Sequence, residues 1–411
     1  MNKAGIYPKF LPLIVLILAL ITGGLLVHWM KRENVFHASA DFEPVETIYM
    51  IWNEEDSAVA TDIAAKISPF EHVTFFTGGA HLEEEKIKLM ILKKGGNEKN
   101  ITIQQLPQKP ANSWIRDFSP VFMKNKKDLN IIKTRFWDAT TDISEYLAHK
   151  YKIDITQSNI YSLGGTREFN GLGTGIFLEA HEKAANPEFV TDRKRFERSL
   201  KKEFNLKKII WLKKGIPQDE LPSYGPLADN IFPTGSNHHI DEFCRFIGPR
   251  QIMLSYITEA ELNGDPILTE AKKRLDENYW ILKNATDQDG NYFEIIPMPF
   301  APIVVRPFHS TLDPNDFRTD VTSYMNFLIT NYTVILPTYT HIDTTLATRL
   351  KEEFIVKMFN QHLPGKKVVF IHPGTLNSRG GGIHCITASK PAFKKKPAGN
   401  FKLRFVKRKR A

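Results

Sequence analysis

Cysteine is the scarcest residue type in this chain, since its 411 residues include only Cys244 and Cys385. Two cysteines exclude a disulfide scaffold and a cysteine-rich zinc site, and the sequence leaves open whether the two pair with each other. A low-complexity linker is also missing, and 42% apolar and 25% charged residues are typical of a globular protein. The sequence therefore predicts a single folded body over residues 41–391.

Charge is absent from residues 10–27, an apolar run of 18 residues near the N-terminus. This length is marginal for a helix that spans a bilayer, and small residues like those of a signal-peptide cleavage site occur at 38–40. Basic residues lie on both sides of the run, so the charge rule leaves its orientation open. We expect residues 1–40 to be a signal or membrane-anchor segment with its linker, and the body to be exported or membrane-anchored, outside the cytoplasm.

Acidic residues are absent from positions 386–411, although the chain as a whole carries a net charge of +9. The ten basic residues there are Lys390, Lys394, Lys395, Lys396, Lys402, Arg404, Lys407, Arg408, Lys409 and Arg410. Without them the chain is close to neutral, so its basicity belongs to a tail over residues 392–411. Such a tail could contact an anionic lipid or nucleic-acid surface; the alternative is a solvated end without a partner.

Strand-like and helix-like segments alternate along the body and indicate an α/β fold. Hairpins are predicted over residues 114–136, 161–178, 240–256 and 323–337. A helix and a strand follow each of the last three, and these units begin roughly 80 residues apart. We expect a ring of hairpin-plus-helix modules whose equivalent ends converge on one axis.

Polar stretches lie near the starts of these hairpins and close to the C-terminus. They are Trp114-Ile115-Arg116-Asp117, Gly164-Gly165-Thr166-Arg167-Glu168, His239-Ile240-Asp241-Glu242 and Gly381-Gly382-Ile383-His384-Cys385. In the last stretch, glycines run into an apolar, strand-like segment, and they let the backbone pass close to a ligand. Cys385 is therefore a candidate for an activated nucleophile, and the alternative is a buried structural cysteine.

The expected directions of the nearby histidine side chains indicate which one could act as the base for this thiol. His384 is adjacent to Cys385 and would point to the opposite face of a strand, whereas His239 and Asp241 are two residues apart and would share a face. His239 is the better candidate. Two carboxylates, Asp117 and Asp241, with a thiolate would form an anionic pocket that suits a guanidinium, a planar cation with five N–H donors.

Other interpretations of the same residues remain open. His238, His239, Asp241, Glu242 and Cys244 could be metal ligands, although standard zinc spacings do not occur. A lone tryptophan such as Trp114 is commonly a core residue, and Arg116 with Asp117 could be a structural ion pair.

At the level of whole motifs, the chain resembles the agmatine deiminase / Porphyromonas-type peptidylarginine deiminase family. The resemblance covers roughly residues 42–391 and includes the four polar stretches above. It also includes Phe42-Glu43-Pro44, His239-Ile240-Asp241-Glu242-Phe243-Cys244-Arg245-Phe246 and Ser323-Tyr324-Met325-Asn326-Phe327. The resemblance implies a pentein fold, a five-bladed α/β propeller with its site on the axis, here preceded by the N-terminal hydrophobic segment.

The reaction that the resemblance implies is hydrolysis of a guanidinium to a ureido group plus ammonia, without a metal or organic cofactor. Cys385 would be the nucleophile, and His239 the general acid and then the base. Asp117 and Asp241 would hold the guanidinium nitrogens. For substrate binding, the resemblance implies Trp114, Asn326 and Gly382.

Departures from the agmatine branch bear on the substrate. Leu163 stands where that branch has an acidic residue, Leu328 stands where the family has a tyrosine, and the N-terminal segment is unusual for a cytoplasmic enzyme. These features favour peptidyl or protein arginine as substrate, with citrulline as product. The alternatives are agmatine, giving N-carbamoylputrescine for putrescine biosynthesis, and a catalytically inactive, tethered binding module.

Overall fold

A computed structural model describes residues 35–78, 81–108, 110–136, 143–308, 316–393 and 405–406. The apolar run at residues 10–27 and nearly all of the basic tail lie outside these residues. Within the described part, no helix has the length and apolarity needed to cross a membrane. The division into residues 1–40, 41–391 and 392–411 stays a prediction.

The strands are short, and several are buried along their whole length. In chain order they are β1 (His37–Ala38), β2 (Val45–Ile51), β3 (Val73–Thr77), β4 (Ile101–Gln105), β5 (Val121–Lys124), β6 (Leu129–Arg135), β7 (Ile155–Tyr161), β8 (Arg167–Phe169), β9 (Thr174–Leu178), β10 (Lys208–Leu212), β11 (Ile231–Phe232), β12 (Cys244–Gly248), β13 (Gln251–Tyr256), β14 (Glu294–Pro299), β15 (Val305–Pro307), β16 (Phe317–Thr319), β17 (Leu328–Ile329), β18 (Thr333–Pro337), β19 (Lys367–Ile371), β20 (Ala388–Pro391) and β21 (Phe405–Val406).

The α-helices of the described residues are α1 (Ser57–Ile67), α2 (His81–Lys93), α3 (Ile115–Phe118), α4 (Ile143–Tyr151), α5 (Glu179–Ala185), α6 (Pro187–Thr191), α7 (Arg193–Glu203), α8 (Glu259–Leu262), α9 (Pro266–Asn284) and α10 (Leu346–His362). Their starts follow ordinary capping rules. Asp265 accepts the N–H groups of Ile267 and Leu268 while Pro266 occupies the first turn of α9. Short 3-10 turns include Gly164–Thr166, Ile240–Glu242 and Asn377–Arg379.

One arrangement of strands occurs five times. An antiparallel hairpin is followed by a third strand that pairs in parallel with its second strand, and helices lie between the two parallel strands. The five units are β5-β6-β7, β8-β9-β10, β12-β13-β14, β17-β18-β19 and β20-β2-β3, the last extended by β4. The four predicted hairpins are thus confirmed, and β20 supplies a fifth by pairing with β2 near the other end of the chain.

A sixth sheet lies outside these units and was not predicted. It pairs β11 in parallel with β16, and β16 antiparallel with β15. The segment between residues 220 and 238, which carries β11, leads directly into His239. The hydroxyl of Ser236 donates to the carbonyl of Gly380 at 2.7 Å, so this segment also contacts the glycine-rich turn before Cys385.

Three local predictions were wrong. Ile115–Phe118 is a helical turn rather than part of a hairpin strand, and Ile240–Glu242 is a 3-10 turn with His239 at its start, so His239 and Asp241 do not share a strand face. Residues 382–387 are also turn, and the strand begins only at Ala388. Side chains hold these backbones: Asn326 Oδ1, for example, accepts the N–H of His384 at 2.8 Å.

Lys390 belongs to the folded body rather than to a solvated tail. It is 2% exposed in β20, forms an ion pair with Glu46 and lies 4.4 Å over the ring of Tyr151. The predicted basic segment therefore begins beyond this residue.

Candidate active site

Each of the five units contributes to one buried cluster. The residue concerned precedes the first strand of its unit in every case: Asp117 before β5, Gly165 before β8, His239 and Asp241 before β12, Asn326 before β17, and Cys385 before β20. Because these segments are turns rather than paired strands, their backbones are free to aim side chains at a common point.

Cys385 is 3% exposed, and two polar side chains contact its sulfur. Asn326 Nδ2 lies 3.3 Å from Sγ, and Glu242 Oε1 lies 3.8 Å from it. The carbonyl of Cys385 accepts the N–H of Arg116 at 3.1 Å. This hydrogen bond joins the backbone of Cys385 to the turn that carries Asp117. Both cysteines are free, so the pairing of Cys244 with Cys385 that the sequence left open does not occur.

Asn326 fixes the turn around the thiol. Its Nδ2 donates to Glu242 Oε1 at 2.8 Å, while its Oδ1 accepts the N–H of His384 at 2.8 Å. Gly382 packs directly on it, because a Cβ at Gly382 would lie 2.5 Å from Asn326 Oδ1. Asn326 and Gly382, which the resemblance assigns to substrate binding, therefore lie next to the sulfur.

His239 and Asp241 lie beside the thiol. The His239 Nδ1 to Asp241 Oδ1 distance is 3.9 Å, and one ligand atom from each of His239, Asp241 and Cys385 falls within 4.8 Å of the others. Gly165 packs against the pair, since a Cβ there would lie 2.5 Å from His239 Nδ1. The carboxylate of Asp219 accepts the backbone N–H groups of Ser236 and His239, so it holds the segment that presents the imidazole.

Asp117 and Trp114 complete the set. Asp117 is 8% exposed, and its Oδ1 accepts the N–H of Gly165 at 3.2 Å, next to His239 and Asp241. The Trp114 ring lies against Gly381, where a Cβ would be 2.7 Å from the indole and 3.2 Å from Cys385 Sγ. The guanidinium of Arg379 lies 5.3 Å from the centre of the same ring.

A buried charge network lies behind Asp241. His384 Nδ1 is 2.6 Å from Asp241 Oδ2, and its Nε2 is 2.6 Å from Asp41 Oδ2. Arg245 and Arg116 contact Asp41 at 2.9 and 3.1 Å. Sequence reasoning missed this network, although it gave one signal: His384 was expected to point away from the Cys385 side chain.

The surroundings keep the thiol protonated. Burial raises the pKa of Cys385 well above its usual value, and the carboxylates Asp241, Glu242 and Asp117 raise it further. Burial also raises the pKa of Asp117 and, with the neighbouring Asp241, raises the pKa of Glu242 well above its usual value. The site thus disfavours additional negative charge.

Positive charge is favoured at the same place. Burial by itself lowers the pKa of His239, but Asp117, Asp219 and Asp241 outweigh it and raise that pKa. Burial works against ionisation of Asp241, yet the hydrogen bond and charge of His384 outweigh it and lower the pKa of Asp241. Asp241 is therefore an ionised acceptor, and an added cation would be stabilised between it and the thiol.

Three buried polar atoms around the sulfur make no hydrogen bond with the residues that the structure describes: His239 Nε2, Asp241 Oδ1 and Glu242 Oε2. Buried polar atoms are normally paired, so these atoms mark a space for a polar ligand. Among the described residues, His239, Asp241 and Cys385 are also the group that could supply three metal ligands. This set differs from the run at 238–244 that the sequence raised as a metal alternative.

Comparison with known proteins identifies the family of the chain. Residues 37–391 match the family model of Porphyromonas-type peptidyl-arginine deiminases. The chain is 24% identical over 400 residues to the agmatine deiminase of Pseudomonas fluorescens, covering 89% of this chain and 98% of that protein. It is 25% identical over 395 residues to the agmatine deiminase of Pseudomonas syringae pv. tomato, covering 88% and 97%.

A solved structure shares the fold. The agmatine deiminase of Enterococcus faecalis, described as catalysing its reaction, superposes with a TM-score of 0.67 at 21% identity, covering 88% of this chain and 97% of the other. At 21% identity, this structural similarity supports the mixed α/β fold and nothing more specific. The match to the family model spans most of the chain, and the chain belongs to the Porphyromonas-type peptidyl-arginine deiminase family, as an enzyme that hydrolyses C–N bonds of guanidino groups.

Proposed function

We propose that this enzyme deiminates a small, free guanidine compound of the agmatine type through a covalent intermediate on Cys385. The proposal rests above all on the clustering of Cys385 with His239 and Asp241, whose ligand atoms lie within 4.8 Å of one another. The roles assigned to these residues from sequence carry over to it unchanged.

The first half-reaction begins when the positively charged guanidinium binds. A guanidinium that donates to Asp117 and Asp241 places a positive charge beside the Cys385 thiol. This charge lowers the raised pKa of the thiol, so the thiol releases its proton to solvent and becomes a thiolate. The sulfur attacks the guanidinium carbon, a C–S bond forms, and the C–N bond to one amino group breaks. His239 gives its proton to the departing ammonia.

A second half-reaction releases the product. His239, now neutral, takes a proton from water, and the oxygen attacks the carbon bound to sulfur. The C–S bond breaks, and the guanidinium and one water have become a ureido group and ammonium. Trp114 would line the pocket, and Asn326 and Gly382 would keep the sulfur in position.

The choice of agmatine reverses the preference drawn from the sequence. Similar proteins over nearly their whole length bear the name agmatine deiminase. In addition, Cys385 is 3% exposed and Asp117 8% exposed, a depth that suits a slender cation better than a folded protein chain. Peptidyl arginine stays as the second candidate, because the family carries that name and because a buried leucine, Leu163, replaces the acidic residue of the agmatine branch.

Two wider proposals accompany this function. We infer that the five units surround one axis as a five-bladed propeller, since each sends one segment to the same cluster. We also keep the proposal that residues 1–40 are an export signal or a membrane anchor, with the body outside the cytoplasm. Of the two we propose the anchor, which rests on the length and apolarity of residues 10–27 alone.

The full chain in mild detergent can be tested with agmatine, free arginine and an arginine-containing peptide, measuring ammonia together with N-carbamoylputrescine or citrulline. We expect agmatine to be turned over at least about tenfold faster than the peptide, and Cys385→Ser to release no ammonia. Faster release from the peptide would make the substrate proposal wrong. Ligand binding by the native chain without any ammonia would instead favour the inactive binding module.

A further inference from the structure

Helix α7 carries a strongly basic outer face. Phe196 and Leu200 are buried, and at 100° per residue the opposite side of the helix spans an arc of about 120°. That arc holds five basic residues and no acidic one: Lys194, Arg195, Arg198, Lys201 and Lys202. All are exposed except Lys201, which is half-buried.

The acids of the helix are turned towards the body. Glu197 accepts the indole N–H of Trp211 at 2.7 Å and pairs with Arg193 at 3.4 Å. Glu203 accepts the hydroxyl of Ser158. Neither acid therefore lies on the outer arc.

The N-terminal segment enters the body beside this helix. Phe36 packs against the apolar cluster that contains Phe196 and Leu200, and its carbonyl accepts the side-chain amide of Asn205. Eight residues, 28–35, separate Phe36 from the apolar run. An extended chain of that length reaches at most about 30 Å, so an anchored run would keep α7 close to the bilayer surface.

We propose that the outer face of α7 docks on an anionic phospholipid surface, in the membrane that holds the anchor. This inference rests on the proposed anchoring. Each lysine or arginine near such a surface strengthens binding by about fivefold, and the tether makes the encounter intramolecular. Docking would hold the deiminase body in one orientation on the membrane.

The test uses the full chain reconstituted into vesicles of phosphatidylcholine, with or without phosphatidylglycerol. Because both native cysteines are buried, a fluorophore can be placed on Val190→Cys, an exposed position three residues before α7. A nitroxide on the lipid headgroups quenches the label when α7 lies on the surface. We expect quenching on the anionic vesicles, its loss near 1 M salt, where the Debye length is about 3 Å, and little quenching on the neutral vesicles.

Two triple variants that remove equal charge from different surfaces test whether α7 is the surface that contacts the lipid. The triple variant Lys194→Gln, Arg198→Gln and Lys201→Gln should lower the docking equilibrium on the order of 100-fold. The control Lys93→Gln, Lys273→Gln and Lys283→Gln removes equal charge from exposed positions on α2 and α9 and should keep the quenching.

The outcomes separate docking from anchoring. Equal quenching on neutral and anionic vesicles, or quenching that survives the α7 substitutions, would overturn the docking proposal while leaving the anchor intact. A label that responds to a DNA duplex but to neither vesicle would make the arc a nucleic-acid surface and also overturn it. A chain that washes off neutral vesicles yet binds anionic ones reversibly with salt would contradict the anchor, and with it the proposal that α7 docks on the membrane that holds the anchor.

Discussion

His384 Nδ1 lies 2.6 Å from Asp241 Oδ2. The residue next to Cys385 in the chain thus contacts a carboxylate of the site. Its other nitrogen contacts Asp41 at 2.6 Å, so Asp241 is tied through one imidazole to a second carboxylate. Burial works against ionisation of both carboxyls, but the charge of Arg116 lowers the pKa of Asp41 and the hydrogen bond of His384 lowers the pKa of Asp241.

A first prediction follows for His384 as a positioning residue. His384→Ala should lower kcat/KM about 10- to 100-fold, because a hydrogen bond to a charged group is lost. Burial then dominates and raises the pKa of Asp241, so the acid limb of the kcat/KM profile should move to higher pH. His384→Asn, which can still donate to Asp241, should recover part of both effects.

An exposed histidine provides the control for that series. His372→Asn, beyond the end of β19, should leave the pH profile unchanged. An acid limb that stays in place in His384→Ala would contradict the role assigned to the imidazole.

Asp117 is predicted to bind the guanidinium directly. Asp117→Asn keeps an oxygen that can accept the N–H of Gly165, but it removes the charge that attracts the cation. We expect KM for the guanidine substrate to rise at least about tenfold, with a smaller loss of kcat. Steady-state kinetics beside the exposed control Asp128→Asn measure this, and unchanged KM and kcat would refute the role.

Ionisation of Cys385 should depend on the substrate. Since the pKa of its thiol is raised well above normal, and that of Cys244 likewise, the free enzyme should show no thiolate absorbance at 240 nm near pH 8. A saturating, slowly hydrolysed alkylamidine cation should produce that absorbance in the native chain and not in Cys385→Ser. A thiolate already present without ligand would contradict the proposed order of events.

The same raised thiol pKa has a consequence for stability. A group whose pKa is higher in the folded state stabilises that state below its unfolded pKa, about 8.5 for cysteine, and loses this contribution as pH rises further. The stability advantage of the native chain over Cys385→Ser should therefore shrink above roughly pH 8.5. Thermal unfolding midpoints measured from pH 7 to pH 10 can check the direction.

We predict that Gly381 is required because its neighbours leave no room for a side chain, and not because its backbone conformation favours glycine. Gly381→Ala would bring a methyl group 2.7 Å from the Trp114 ring and 3.2 Å from the sulfur, so the indole must move. We expect kcat/KM to fall at least about tenfold with the fold retained by circular dichroism. In the control Gly248→Ala, the nearest atom is the flexible end of Gln251, and activity should persist.

The sequence was sufficient to predict what depends on local pattern. Alternating apolar residues located the hairpins, and the resemblance located Cys385, His239, Asp241 and Asp117 in one cluster. The turn at Ile240–Glu242 was missed because three residues are too few for a periodic signal and strand β12 begins shortly after them, at Cys244.

Long-range side-chain contacts could not be predicted in this way. Asp41 and His384 are 343 residues apart, and Arg245 is 204 residues from Asp41. No spacing rule connects such positions, because only the folded chain brings them together. The sixth sheet was missed for a related reason: its strands of two or three residues are too short for a periodic signal.

The pairing of β20 with β2 also has a consequence during synthesis on the ribosome. Cys385 precedes β20 by three residues, so the sulfur and the strand that joins both ends of the fold emerge from the ribosome almost together. A nascent or shortened polypeptide that ends before residue 385 contains His239, Asp117 and Asp241 but lacks the proposed attacking sulfur. On the proposed mechanism, it gains activity only after Cys385 and β20 have been synthesised.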